Sequence, residues 1–288
     1  MVKLSKHFIF VIAALVFTGI TAIASFVISS SSQAAVEDNI DGIIDAYCQS
    51  NFTRAHRLAQ KHLADPIGRL IFHFCQIHDL KKQNLAEGLA GLKKLYDDKT
   101  LDKKIRAEAA MGYARVIQTL QMRRQHPEYN GFNVDELYRD IIKMVPHDEK
   151  AAFAAIYIAE SLFTRYLKNS DEQAAKQAFA CIEDFLAKYD GPLENTVPIH
   201  LYIERFYIEV SRDYVKCIEH LEKAYAIGIA KGITRRITLF RLARIYDLRL
   251  GNTAKAKMYY LEFLKLYPNA AEMPLAKRYF GELDEHNK

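Results

Sequence analysis

Tryptophan is missing from this chain, and residues that break helices are few: 288 residues contain seven prolines and twelve glycines. That scarcity favours long helices over many short strands joined by Gly/Pro turns. Dense blocks of lysine and arginine are missing too. The formal charge is +5, and two of the cations, Lys3 and Lys6, lie at the extreme N-terminus. So mild and dispersed a charge gives no footprint for nucleic acid. There is no Gly-rich phosphate loop, no G-x-S-x-G elbow and no H-E-x-x-H pair. The sequence therefore nominates no catalytic residue, no cofactor and no metal site.

Cysteine is also sparse, at four residues: Cys48, Cys75, Cys181 and Cys217. All four fall in expected helices, and Cys217 reads first as a small core residue. Cys181 with Cys217 and Cys48 with Cys75 are the two pairings open to oxidation outside the cytoplasm. Cys217 and His220 stand at i, i+3, and His73, Cys75 and His78 cluster, but neither set supplies four ligands at a recognised spacing. Paired carboxylates are equally hard to find. Glu160 is alone on its helix, and Glu204 and Glu209 are five apart, off the spacing that makes helical neighbours.

What the chain does have begins at its N-terminus. Behind Lys3 and Lys6 runs an uncharged stretch from Phe8 to Ser32, whose apolar part, Phe8 to Ile28, is long enough to cross a bilayer. The preceding positive charge holds the N-terminus in the cytoplasm and sends the rest outward. Ala22-Ile23-Ala24 and Ser32-Gln33-Ala34 each offer small residues to a signal peptidase. Residues 1–35 are thus a signal peptide or an N-terminal membrane anchor. Either way the remainder, 36–288, is expected outside the cytoplasm, periplasmic, secreted or tethered to the inner membrane by residues 8–28.

Aromatics are plentiful, with 17 tyrosines and 16 phenylalanines, and they fall at helical spacing in a succession of paired amphipathic segments. Ile40, Ile43, Ile44 and Tyr47 precede a turn at Asn51, then Phe52, Ala55, Ala59 and Leu63 lead to a closing Pro66. Leu70, Ile71, Phe74 and Ile77 pair with Leu85, Gly88, Leu92 and Leu95. A third pair, up to Pro146, is interrupted by the loop His126 to Asn133. A fourth runs to Pro192 and has its turn at Asn169-Ser170-Asp171. Pro198 opens a fifth. The sixth, Ile233 to Asn269, is the most regular, and an amphipathic helix from Ala271 to about Glu285 follows it.

In that sixth pair Leu242, Ala243 and Tyr246 share one face, Gly251-Asn252 supplies the turn, Ala256, Tyr260 and Phe263 stripe the second helix, and Pro268 ends it. This order resembles a tetratricopeptide repeat. The small or inward position of the second helix falls in the other pairs at Ala55, Gly88, Leu137, Ala178 and Cys217, at uneven spacing. The resemblance implies an all-α fold: a right-handed superhelical solenoid of helix-turn-helix repeats whose first helices line a concave groove. It also implies a protein or peptide segment as partner. By register the groove is expected to present Ile156, Glu160, Tyr202, Phe206, Glu209, Phe240, Arg241, Arg244 and Asp247. Arg235, Arg236, Arg241, Arg244 and Arg249 make the last first-helix basic, so an acidic segment or a chain terminus is the expected guest. The resulting expectation is a non-catalytic scaffold in a cell envelope, serving secretion or envelope assembly. The competing one is a helical-superhelix hydrolase or lyase acting on an envelope polymer.

Overall fold

The computed structural model describes residues 38–78, 82–123, 126–229 and 232–285. The leader expected over 1–35 lies outside them. Among the described residues there are thirteen α-helices and no strand, so the chain is all-α. None of these helices is long and apolar enough to cross a membrane. Two compact units are separated after Val145.

The first unit contains α1 (Ile40–Cys48), α2 (Phe52–Ala59), α3 (Pro66–His78), α4 (Lys82–Asp97), α5 (Lys103–Arg123) and α6 (Val134–Met144). The second contains α7 (Glu149–Asn169), α8 (Glu172–Lys188), α9 (Val197–Phe206), α10 (Tyr214–Ile227), α11 (Ile233–Leu248), α12 (Thr253–Leu266) and α13 (Met273–Glu285). Within each unit the dominant packing is between helices adjacent in the chain. One helical stripe cannot shield itself, and the nearest available cover is the helix that the turn folds back.

Most of the expected stripe residues are buried or half-buried, with Leu63 exposed. Leu242, Ala243, Ala256, Tyr260 and Phe263 are all shielded, as are Ala55, Ala178 and Cys217 at the small position. Gly88 shows why that position stays small: a β-carbon there would sit 2.7 Å from Ile77 Cγ1 and 2.9 Å from the His73 carbonyl oxygen, closer than atoms pack.

Four of the turns are built alike. Ser50, Ser170, Arg212 and Gly251 adopt left-handed backbone, with φ of 59°, 54°, 54° and 62°. Each is followed by an Asn or Asp whose side chain accepts the N–H three residues on. These are Asn51 from Arg54 at 3.2 Å, Asp171 from Ala174 at 3.0 Å, Asp213 from Lys216 at 3.0 Å and Asn252 from Lys255 at 3.1 Å. The left-handed residue reverses the chain and the Asx residue caps the next helix.

Two expectations about the first unit are corrected. Pro66 opens α3 instead of closing α2, because proline suits a first helical turn and Asp65 Oδ1 caps it through the Ile67 and Gly68 N–H groups. The second helix ends earlier, at Ala59, passes into a 3₁₀ turn and leaves Leu63 exposed. The His126–Asn133 loop is tied down by Gln121, whose amide donates to the Tyr129 and Phe132 carbonyls at 2.6 and 2.8 Å.

Candidate functional site

In the second unit a groove of about 600 Å³ runs between α9 and α11. Its first wall comes from Glu204, Arg205, Ile208 and Glu209. α9 starts with Pro198 in its first turn and buries Ile199, Ile203 and Phe206. It then gives way to a π turn, Tyr207–Ser211, stopped by Arg212 in the left-handed region. A π turn takes more residues per turn than an α-helix, which shifts the phase of all that follows. Glu204 and Glu209 would diverge on an α-helix, yet both face this groove.

The second wall is one face of α11 with its cap residue: Ile237, Phe240, Arg241, Arg244, Ile245, Leu248 and Arg249. These positions recur at three and four residues, the spacing of one helical face. Ile245 is shielded, while Leu248 is 50% exposed. Tyr214 and Glu272 complete the lining.

Charge is distributed unevenly along the groove. The Glu204 side chain is only 2% exposed, and both its oxygens accept from Arg241 Nη1, at 3.0 and 2.8 Å. Burial lifts the Glu204 carboxyl above its usual range, and Arg241 draws it part of the way back. Arg205 lies 3.8 Å from Glu209, and Arg236 lies 3.3 Å from Glu272. Arg244 and Arg249 are different. The Arg244 guanidinium stands over the rings of Phe240 and Tyr279, 5.9 and 6.0 Å from their centres, and Arg249 stands 5.2 Å from the centre of Tyr214. Neither has a carboxylate within ion-pair distance among the described residues. A ring face steadies a cation without cancelling its charge.

Of the nine residues expected to face a groove, Glu209, Phe240, Arg241 and Arg244 line this one. Ile156 and Phe206, at 8% and 1% exposure, pack into the core. Tyr202 is half-buried with its ring edge on Phe206, and burial followed by the Glu160 charge drives its phenol well above the usual range. Glu160, half-buried on α7, does not line the groove. Asp247 turns to Tyr260, whose hydroxyl it accepts at 3.3 Å, and burial raises its carboxyl. Arg241 is occupied by Glu204, which leaves Arg249 beside Arg244 as the lining arginines outside any ion pair among the described residues. Asp247 feels the Arg244 charge from beyond pairing distance. Glu204 carried a signal in the sequence: it falls in the same stripe as His200 and Tyr207, where an apolar residue belongs.

Elsewhere, His220 Nδ1 shares a hydrogen bond with His200 Nδ1 at 2.9 Å instead of pairing with Cys217 around a metal. Among the described residues no cluster of three or more His, Cys, Asp or Glu is placed to hold a metal ion. All four cysteines are unbridged, and burial pushes Cys75 and Cys217 up to about 12. A comparison of the chain with protein-family models finds no match, and a comparison with curated proteins finds none.

Proposed function

We propose that the chain is an extracytoplasmic scaffold of tetratricopeptide-like repeats, stacked as a right-handed superhelical solenoid, that holds an acidic segment of another envelope protein in the α9–α11 groove. The repeat reading is supported by the four turns of one construction and by the small buried position in five of the six second helices, the third having Leu137 there. The apolar N-terminal stretch supports an envelope location, as a cleaved leader or a retained anchor. The observation that carries the binding reading is the state of Arg244 and Arg249, two exposed guanidinium groups poised on aromatic rings beside Ile245 and Leu248. Neither is in an ion pair among the described residues, though the Arg244 charge is felt by Asp247. A partner's carboxylates would supply the missing charge in bidentate geometry while its apolar side chains cover Leu248.

An enzyme acting on an envelope polymer would need a carboxylate with an oxygen turned toward substrate. Glu204 has the raised proton affinity of a general acid, but both oxygens are committed to Arg241, so it serves to hold the groove wall. A photoreactive residue in place of Leu248, in cells of the source organism, tests the proposal. One dominant protein adduct is expected, and it disappears in the Arg244→Glu/Arg249→Glu variant. An adduct indifferent to that double substitution removes the groove from partner binding.

A further inference from the structure

The partner segment, on the groove reading just given, has a definite conformation: we infer that it docks as an amphipathic helix with acidic flanks and not as an extended peptide. The first argument is hydrogen bonding. An extended peptide brings a row of backbone N–H and C=O groups, and a groove that buries them must supply partners. Asn, Gln, Ser or Thr side chains would offer such a backbone neutral donors and acceptors. None of these residue types lines the α9–α11 groove, whose polar lining consists of arginine, glutamate and one tyrosine. Glu204 is held by Arg241 through both oxygens, Glu209 faces Arg205 and Glu272 faces Arg236. The lining carboxylates are thus charged and paired, with Glu272 Oε2 alone among them left buried without a hydrogen-bond partner. A helix satisfies its own backbone and asks nothing of that kind from the walls.

The second argument is periodicity. One wall offers Glu204, Arg205, Ile208 and Glu209, and the other offers the α11 face from Ile237 to Arg249. The α11 face is a helical ridge with residues repeating at three and four, the pattern that receives the ridges of another helix, while the first wall passes from the end of α9 into the π turn. An extended segment repeats every two residues and would fall out of step with the α11 wall. The α11 face is about 18 Å long at 1.5 Å per residue, enough for a guest of about three turns. Charge then orients the guest. Arg244 toward the Tyr279 side and Arg249 toward the Tyr214 side flank the apolar strip of Ile245 and Leu248, so acidic residues belong on both borders of the guest's apolar stripe.

The test is selection from a display library of random peptides of about sixteen residues, long enough for four turns. The full chain is held in lipid nanodiscs, and empty discs remove membrane binders. Enriched peptides are expected to carry apolar residues at three- and four-residue spacing bordered by Asp or Glu. A synthetic copy should gain helical circular dichroism on binding. A proline at its centre and, separately, Arg244→Glu/Arg249→Glu in the protein should each weaken binding by about tenfold or more. Enriched peptides that alternate polar and apolar residues, or that keep their affinity with the central proline, overturn the helical mode and leave the groove reading standing. Binding that ignores the arginine substitutions, or no enrichment over empty discs, overturns both.

Discussion

Arg212 ends the π turn in a left-handed conformation that costs an L-residue about 1 kcal/mol and glycine almost nothing. Ser170 does the same between α7 and α8. Arg212→Gly and Ser170→Gly are each expected to stabilise the protein by about 0.5–1 kcal/mol, because relief of strain exceeds the added freedom of the unfolded chain. Urea midpoints would record this, and an unchanged or lower midpoint would show the turns to be unstrained. The Gly251-Asn252 turn is legible in the sequence because glycine advertises its φ. Arg212-Asp213 is not, because arginine has no left-handed preference to read. A second prediction concerns His200 and His220. Burial, with Lys223 nearby, pushes both down to about 4, and their shared hydrogen bond needs one ring nitrogen unprotonated. Unfolded histidines titrate near 6.5, so the unfolded chain binds more protons between those values. The pair's contribution is therefore fully present above about pH 6.5 and is lost as pH falls through 4, by roughly 3 kcal/mol for each histidine at most. His220→Gln should flatten the stability profile in that window. A variant with the same acid sensitivity as the parent would place the acid-labile groups elsewhere.

Elements are where the sequence is most readable, since stripes of Leu, Ile, Ala and aromatics at helical spacing mark each helix and its inner face. The failures are at boundaries. Pro66 is compatible with either side of a helix end, and the side chain that decides, Asp65, acts only once its oxygen meets the Ile67 N–H. The π turn is invisible because Tyr207–Ser211 differs from an α-helix in its backbone pairing and not in residue type. Two substitutions test the elements as packed units. Gly88→Leu should cost about 1–3 kcal/mol through overpacking against Ile77 and the His73 carbonyl, although leucine is the better helix former by about 0.8 kcal/mol. A neutral result would mean that α3 and α4 separate easily. Asp213→Ala removes the cap from the Lys216 N–H and should cost about 1 kcal/mol, read by the same unfolding titration. An uncapped α10 of unchanged stability would show that the π turn, not the cap, fixes where the helix starts.

At the scale of the whole molecule, the second unit sets two arginines outside any ion pair among the described residues, Arg244 and Arg249, beside Ile245 and Leu248, and the proposed guest rests on that combination. The sequence shows the arginine excess on α11 but not which arginines are free, because Arg241 finds Glu204 from a helix far away in the chain and Arg244 finds Tyr279 on another. Arg241→Ala leaves Glu204 buried without its partner and should cost about 1–3 kcal/mol of stability. Loss of binding in that variant would report on folding as much as on recognition, and the exposed Arg244 and Arg249 are the cleaner probes. The most direct measurement is hydrogen–deuterium exchange of the full chain with and without the partner captured at Leu248. Slowed exchange confined to α9, the π turn and α11, absent in Arg244→Glu/Arg249→Glu, is the predicted result. Protection centred on α12 or on the first unit, with α11 unchanged, would contradict the account.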